Sequence, residues 1–234
     1  MNAPALEKGL DVMETLVARS DSLTLSKLAE HCGRRVSEIQ RMVHVLHRRG
    51  YIERTESNAY RPGLKLYELG RFRHPFRHLQ TVAEPIMAGV AEQTGHSIHL
   101  SVEDGGQMLI LSEILGTGVA AVALKVGSRH ALSETLSGRI LALNHPGVAK
   151  ASDSRHINTV GFLHLKSRLY AGVEDLGVPV YRPSDQRIVA VLASNWLVPR
   201  KGSVQVEQVA GILHEAAARI SRRIQEPDRA KPSP

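Results

Sequence analysis

Residues 31–54, HCGRRVSEIQRMVHVLHRRGYIER, combine a helical apolar stripe with a basic surface on one short stretch. The apolar side chains recur at i, i+3, i+4 and i+7, the spacing of one buried face of an α-helix: Ile39, Met42, Val43 and Leu46. The opposite side of the same helix carries polar and basic side chains: Gln40, Arg41, His44 and Arg48. Such a helix packs against a core on one side and presents its basic side to water or to phosphate.

The basic surplus of the chain is concentrated around this helix. The 234 residues carry a formal net charge of +7. Residues 34–77 contain eleven Lys or Arg against four Asp or Glu, so the surplus of this segment equals that of the whole chain. A basic excess focused on one amphipathic helix is typical of nucleic-acid binding.

Two helices are predicted before this one. Residues 5–19 repeat apolar side chains at helical spacing and predict a first helix. The segment LTLSKLAEHCG predicts a second, short helix, with Thr24 placed to cap its start and Gly33 placed to end it.

The third helix and the segment after it complete a DNA-binding plan. Ser37 with Gln40 three residues later matches the capping-box pattern that opens a helix, and Gly50 ends the helix. Residues 51–63, YIERTESNAYRPG, alternate apolar and polar side chains on either side of a turn and predict a small hairpin. Helix, helix, turn, helix and hairpin is the winged helix-turn-helix order, in which the third helix enters the major groove and the wing contacts the flanking backbone.

The second half of the chain predicts an antiparallel sheet flanked by helices, which makes the fold α+β. SIHLSVED and QMLILSEI are strand-like and are joined by two glycines, and VAAVALKV and RIVAVLAS are further strand candidates. Residues 76–94 and 203–224 have helical apolar spacing, whereas residues 226–234, EPDRAKPSP, have too little apolar content to fold. A curved sheet of this kind can form a cup for a small molecule.

Composition limits the location and the chemistry. Cys32 is the single cysteine, so no internal disulfide and no cysteine-built zinc site is expected, which suits a reducing cytosol. No apolar run approaches the roughly 20 residues that span a bilayer, and the N-terminus lacks a signal-peptide pattern. We therefore expect a cytoplasmic protein with no membrane partner.

Enzymatic patterns are weak. The histidine pairs His44 with His47 and His96 with His99 lack a third ligand at a recognised spacing, and no G-x-S-x-G nucleophile elbow is present. GTGVAA, residues 116–121, leads into a strand-like run and not into the helix that a dinucleotide fingerprint needs, so we interpret it as a loop. No catalytic residue, cofactor or metal is predicted. Two alternatives stay open: an enzyme or metabolite sensor with an accessory DNA-binding domain, and a ligand-free architectural DNA binder.

The chain resembles the IclR family of bacterial transcriptional regulators. Four segments match, in order, the family's first helix, second helix, recognition helix and wing: ALEKGLDVMETLV, LTLSKLAEHCG, VSEIQRMVHVLHRRGYIER and YRPGLKLYELG. The resemblance continues over most of the chain through AEPIMAGVAEQTGHSIHLSVEDGGQMLIL, VGSRHALSETLSGRILA and GVEDLGVPVY.

This resemblance implies a domain plan and a function. Residues 1–70 would form the winged helix-turn-helix domain, 71–82 a linker helix, 83–225 a GAF-like effector-binding domain and 226–234 a disordered tail. The implied protein is a homodimeric or homotetrameric regulator, such as a repressor. It would bind a palindromic double-stranded DNA operator and sense a small organic or aromatic acid.

The predicted DNA-binding residues lie on the third helix and the wing: Arg35, Ser37, Glu38, Gln40, Arg41, His44, Arg48, Arg54 and Arg61. Gln40 has two competing roles, capping and adenine contact, while the two wing arginines suit phosphate. Glu38 departs from the small hydroxyl residue usual in the family, and it suits either the helix N-terminus or a cytosine amino group. Tyr60 is expected to pack.

The resemblance implies effector contacts from the backbone at Ser133, Leu136, Ser137 and Gly138, and from the polar side chains of Asp175, Ser194 and Asn195. His99 is a further candidate, because its place on the first strand can direct it into the cup. In SETLSGR the backbone amides at a helix start would hold an anionic effector. A turn remains the alternative for Asp175, a strand-end cap for Ser194, and a packed core position for His99. The chain is also shorter than the family between SGRILALNHPG and NTVGFLHLKSRLYAG, where the family has an additional helix and loop.

Overall fold

The computed structural model describes residues 3–72, 75–199 and 204–225. The chain divides into two compact units, Met1–Arg77 and His78–Pro234. The first is a small helical unit with a three-stranded sheet, and the second contains a six-stranded antiparallel sheet with helices. The predicted α+β fold is confirmed.

The N-terminal unit has the winged helix-turn-helix order. Its elements are α1 (Pro4–Val17), β1 (Leu23–Thr24), α2 (Leu25–His31), α3 (Val36–Arg48), β2 (Ile52–Arg54), β3 (Ala59–Pro62) and α4 (Leu64–Phe72). β3 lies between β1 and β2 and pairs antiparallel with both. Thr24 caps α2 as predicted, because its hydroxyl accepts from the Lys27 amide at 3.4 Å.

The apolar stripe of α3 forms the centre of this unit's core. Ile39 and Val43 are almost fully buried, and they pack with Leu16 of α1, Leu28 of α2 and Ile52 of β2. Complete burial of each such side chain stabilises the fold by about 1.5–3 kcal/mol. The core therefore fixes which side of α3 faces outward.

The predicted capping box of Ser37 and Gln40 is wrong. α3 begins at Val36, with Arg35 in an extended conformation before it. Glu38 Oε2 accepts from the Arg35 backbone amide at 3.0 Å, so the reciprocal acceptor is Glu38. The sequence also fits this register, because an acid in the first turn is favoured by the helix dipole.

The C-terminal unit contains the larger sheet. Its helices are α5 (Arg77–Thr94), α6 (Leu136–Leu141), a 3₁₀ turn (Ala142–Asn144), α7 (Ala151–Val160) and α8 (Val206–Arg223). Its strands are β4 (Ser97–Asp104), β5 (Gln107–Ile114), β6 (Arg129–Ala131), β7 (Leu163–Lys166), β8 (Val173–Tyr181) and β9 (Ile188–Leu197). Their order is β6-β5-β4-β9-β8-β7, and every neighbouring pair is antiparallel.

Several sequence expectations differ from this architecture. Residues 119–126, predicted as a strand, are irregular, because β6 pairs with β5 over Gln107–Leu109 and the 119–126 backbone joins no ladder. In the range 71–82, expected as a linker helix, α4 ends at Phe72 and α5 begins at Arg77, while residues 73 and 74 lie outside the described residues. In the region where the chain is shorter than the family, α7 is formed. The predicted disordered tail, 226–234, lies outside the described residues.

Candidate nucleic-acid interface and ligand cavity

The outward side of α3 presents the polar residues expected from the sequence. The exposed ones are Ser37, Gln40, Arg41, His44 and Arg48. Because Glu38 and not Gln40 caps the start of α3, the Gln40 side chain does not take the capping role expected for it. Arg35 is exposed just before the helix.

Glu38 is held by the protein itself. Its Oε1 accepts from Lys8 Nζ of α1 at 2.9 Å, while its Oε2 caps Arg35. The Arg35 amide, followed by Lys8, lowers the pKa of the Glu38 carboxyl below its usual value. A cytosine amino group, one of the two roles expected for Glu38, would have to be accepted by a carboxylate that already receives a bond on each oxygen.

Arg41 has a second neighbourhood besides the exposed side of α3. It borders an apolar groove between α1 and α3, together with Leu6, Leu10 and Arg49. Leu6 is 63% exposed and Leu10 is 46% exposed. A change at Arg41 therefore alters this groove as well as the basic face.

The wing carries two arginines, of which one forms an ion pair and the other has no ion pair among the described residues. Arg54 is exposed at the end of β2. Arg61 on β3 forms an ion pair with Glu53, which lies directly opposite it on β2. Tyr60 packs against the core of the unit, with its ring edge-on to His47, as expected.

A cavity of about 250 Å³ lies within the C-terminal unit. Five of the predicted effector residues line it: His99, Leu136, Ser137, Asp175 and Asn195. Residues 122–125, here called the cavity roof, also line it, together with parts of the 134–137 and 167–173 segments.

The sheet register brings three polar side chains to one side. Asn195 of β9 pairs with Asp175 of β8 and with Ser97 of β4. His99 lies two residues after Ser97 and therefore faces the same way, because side chains alternate along a strand. His99 is 4% exposed and Asn195 is 2% exposed.

Two of these buried groups keep unsatisfied polar atoms among the described residues. His99 Nε2 lies 3.2 Å from Ser137 Oγ, but His99 Nδ1 has no hydrogen-bond partner. Asn195 Oδ1 also has none. A buried polar atom without a partner costs about 1–3 kcal/mol, so both atoms favour a polar group inside the cavity.

Burial changes the protonation of the cavity walls. Desolvation lowers the pKa of His99 to about 4, so this imidazole is neutral at physiological pH. Desolvation raises the pKa of Asp175 to about 6, although the electrostatic interaction with His164 and a hydrogen bond from Ser167 oppose the shift. Asp175 can therefore take up a proton near neutral pH when an anion approaches it.

The start of α6 contributes backbone as well as side chains. Thr135 Oγ1 accepts from the Gly138 amide at 3.0 Å, so Thr135 caps the helix. The predicted donors, the Leu136 and Ser137 amides, belong to the first turn, where an α-helix supplies no internal acceptor. Gly138 itself serves packing, because a Cβ there would lie 2.5 Å from the Leu132 carbonyl oxygen.

The other predicted effector residues do not line this cavity. Ser133 is exposed, and its carbonyl accepts from Arg168. Ser194 lies inside β9 and not after it, and it faces the side opposite to Asn195. Asp175, which does line the cavity, lies inside β8 and not in the turn that was its alternative role.

Sequence reasoning missed several polar lining residues, because most of them lie in irregular segments without periodicity: Lys125, Ser128, His130, Glu134, Ser167 and Tyr170. Lys125 is exposed and so places a positive charge on the solvent side of the cavity. Within the described ranges, no three His, Cys, Asp or Glu side chains group as metal ligands. His96 stacks on Trp196 instead, at 5.1 Å between ring centres.

Both units match models of known domains. Residues 5–56 match the IclR helix-turn-helix domain, and residues 76–153 match the bacterial transcriptional regulator IclR C-terminal domain. Together these segments cover more than half of the chain. The chain belongs to the IclR family.

Individual IclR-type relatives agree with this assignment. The regulator XynR of Escherichia coli is 22% identical over 245 residues, covering 94% of this chain and 96% of that protein. KipR of Bacillus subtilis is 28% identical over 117 residues, so the match spans 50% of this chain and 47% of KipR. The fold is similar to the crystal structure of an IclR homologue from Microbacterium hydrocarbonoxydans complexed with 4-hydroxybenzoate. That comparison gives a TM-score of 0.78 at 21% identity and covers 94% of this chain and 99% of the other.

The chain is therefore an IclR-type DNA-binding transcriptional regulator with a C-terminal ligand-binding domain. Its relatives are regulators, some of them repressors, and not enzymes, which removes the alternative of an enzyme with an accessory DNA-binding domain. In the part of the chain that the structure describes, no helix is both long and apolar enough to cross a membrane.

Proposed function

We propose that this regulator is a homodimer or homotetramer that binds a palindromic operator through α3 and the wing. Its C-terminal cavity senses a small organic or aromatic acid. The observation that carries the ligand proposal is the pair of buried, unpartnered atoms, His99 Nδ1 and Asn195 Oδ1, inside one cavity. A ligand with a polar group at each of these two positions would satisfy both atoms.

The size of the cavity restricts the ligand. About 250 Å³ lies just below the usual range for small-molecule sites, roughly 300–1,000 Å³, and so suits a ligand of about one ring. The 4-hydroxybenzoate bound by the Microbacterium homologue is such a molecule.

The polar groups suggest how an acid would be held. The Leu136 and Ser137 amides would donate to its carboxylate, aided by the positive charge of Lys125. Asp175 would accept from a ligand hydroxyl, since two bare carboxylates repel each other. This arrangement favours hydroxylated acids over simple dianions.

Calorimetric titration with 4-hydroxybenzoate and benzoate tests the ligand proposal. We expect the parent protein to prefer 4-hydroxybenzoate, and Asp175→Ala to lose that preference because the hydroxyl loses its acceptor. Ser137→Pro should weaken the binding of both acids about 10- to 150-fold, because proline deletes one amide donor and a hydrogen bond to a charged group contributes about 1.5–3 kcal/mol. Ser137→Ala is the matched control, since it removes the hydroxyl near His99 and keeps the amide.

Two results would contradict this assignment. If Asp175→Ala and Ser137→Pro both bind the acids as the parent does, the acid site lies elsewhere. If the parent binds neither these acids nor any other small acid in a thermal-shift screen, the proposed ligand class is wrong.

The proposed oligomeric state follows from the small number of base pairs that one recognition helix can contact. A single recognition helix contacts only a few base pairs, and a two-fold dimer gains specificity by placing two helices on half-sites one helical turn, or a multiple of one, apart. We expect light scattering to give a dimer or tetramer, and an inverted repeat to bind far more tightly than one half-site. A monomer at micromolar concentration that binds one asymmetric half-site tightly would disprove the proposal.

A further inference from the structure

Two neighbouring residues of β5 hold different parts of the C-terminal unit on opposite sides of the sheet. Glu113 Oε1 accepts a hydrogen bond from the backbone amide of Leu124, in the cavity roof, at 2.5 Å. Ser112 Oγ donates to Glu84 Oε1 of α5 at 2.9 Å. One short piece of strand therefore contacts both the cavity roof and the helix α5.

The cavity roof depends on this contact because its backbone is irregular. The segment containing the roof is tied to the sheet near its ends. Gly118 donates to the Gly95 carbonyl at 3.1 Å, and Gly127 donates to the Ile110 carbonyl at 2.9 Å. Leu124 lies between these ties, and its amide is held by a side chain and not by a strand ladder. Two described contacts therefore hold the middle of the roof: the bond from the Leu124 amide to Glu113, and the packing of the Leu124 side chain against the core of the unit.

The Glu113 carboxyl lies in a partly desolvated position beside a residue of the cavity. The carboxyl is half-buried, and desolvation raises its pKa, opposed by the hydrogen bond from the Leu124 amide. It lies directly opposite His99 of β4, whose imidazole lines the cavity. Any ligand that shifts the roof therefore acts on Glu113.

The other side of the strand reaches the helix that joins the units along the chain. Ser112 is 3% exposed, and the acceptor it uses, Glu84, also receives a hydrogen bond from Gln80 at 2.8 Å. α5 begins at Arg77, the last residue of the N-terminal unit. A change at Ser112 thus reaches the first half of α5.

A bulge separates these two residues from the rest of β5. The pairing with β4 passes from Leu100 with Ser112 to Ser101 with Ile110, so Leu111 is the extra residue. A bulge interrupts the ladder locally and re-aims the side chains next to it. Ser112 and Glu113 are therefore paired with β4 in a register that differs by one residue from that of Gln107–Ile110.

We propose that Glu113 is the positioning residue through which the cavity roof and α5 influence each other. This rests on the proposed function in one respect, because it takes the cavity as the effector site. A ligand that contacts the roof moves Leu124, the Glu113 carboxylate follows, and the Ser112–Glu84 bond changes in turn. Because the coupling free energy between two sites is reciprocal, a change on α5 should in turn alter the roof.

Hydrogen exchange of the full-length, ligand-free protein, followed by mass spectrometry, tests the coupling. Glu113→Ala should accelerate exchange roughly fivefold, as expected for one lost hydrogen bond, in peptides from the roof and from residues 80–87 of α5. Glu113→Gln keeps an acceptor oxygen and should exchange like the parent. The described bonds of Glu84 go to Gln80 and Ser112 and not to the roof, so faster exchange in the roof of Glu84→Ala would report the coupling itself. Glu92→Gln, on the exposed side of α5, is the matched control and should change neither region.

The contrary outcomes are distinct. If Glu113→Ala affects the roof alone, or Glu84→Ala affects α5 alone, the two elements are uncoupled and the proposal is wrong. Faster exchange in β8 as well would indicate general destabilisation and would equally overturn it. These measurements need no ligand. If 4-hydroxybenzoate and other small acids fail to bind, the proposed ligand class is refuted, but the measured coupling between the roof and α5 is unaffected.

Discussion

Replacing Arg48 with alanine should weaken binding to the selected operator roughly 5- to 150-fold, equivalent to the 1–3 kcal/mol of a lost base contact. Arg48 is exposed on the side of α3 that faces away from Ile39 and Val43, so its removal leaves the core intact. We prefer Arg48 to Arg41 for this test because Arg41 also borders the groove beside α1. Fluorescence anisotropy on an operator obtained by in vitro selection provides the measurement.

The same titration distinguishes the two kinds of contact. If Arg48 reads a base, its loss should relax specificity at one operator position. If it contacts phosphate, all sequences should weaken alike, and the dependence on salt should fall by about one ion. Arg155→Ala, an exposed charge on α7, is the control for net charge. Parent-like affinity of Arg48→Ala would exclude Arg48 from the interface.

Replacing Asp153 with alanine should destabilise the C-terminal unit by about 3 kcal/mol, at the lower end of the range for breaking a buried ion pair. Arg139 of α6 donates to Asp153 of α7 through Nε at 2.7 Å and through Nη2 as well. The Asp153 side chain is 4% exposed and that of Arg139 is 16% exposed. Without Asp153 the guanidinium remains largely buried and unpaired.

The urea unfolding transition of this unit can be followed on its own. Trp196 is the only tryptophan of the chain and lies in β9, so its fluorescence reports the C-terminal unit. Combining Arg139→Met with Asp153→Ala should recover part of the loss, because the unpaired charge is then removed. Asp21→Ala, which breaks the exposed pair with Arg19, should leave the transition unchanged. A parent-like midpoint for Asp153→Ala would show that the pair contributes nothing.

The pH dependence of this effect has a defined sign. Desolvation tends to raise the pKa of Asp153, but the hydrogen bonds from Arg139 prevail and lower it below its ordinary value of 3.8. A carboxyl with a depressed pKa stabilises the fold above its unfolded pKa and loses that contribution as the pH falls through the folded value. The difference between parent and Asp153→Ala should therefore stay constant from about pH 5 to 8 and shrink below pH 4.

The Arg139–Asp153 pair also bears on ligand recognition. α6 has only six residues, and its first two, Leu136 and Ser137, line the cavity. So short a helix is not stable by itself, and its position depends on tertiary contacts. We therefore expect the pair to hold the proposed amide donors in place as well as to stabilise the unit.

Most of the winged helix could be predicted from local sequence patterns. The stripe of α3, the Thr24 cap and the hairpin of the wing each depend on residues within a few positions of one another, and short-range geometry decides them. The N-cap of α3 was predicted wrongly because two acceptors, Ser37 and Glu38, fit the same few residues. The bond from Lys8 of α1 also holds Glu38 in its observed place, and a local pattern does not contain that contact.

The ligand cavity depended on tertiary structure. The sequence identified His99, Asp175 and Asn195 as candidates, but these residues lie on three strands that are distant along the chain, and only the β4–β9–β8 register places them on one side. The same register turns Ser194 away, because a shift of one residue reverses every side chain of a strand. The roof at 122–125 resembles a strand in sequence, and it became a cavity wall because the Glu113 side chain, and no neighbouring strand, accepts the Leu124 amide. Pattern alone predicts which residues can form strands, whereas strand pairing and long-range hydrogen bonds decide which of them enclose a common space.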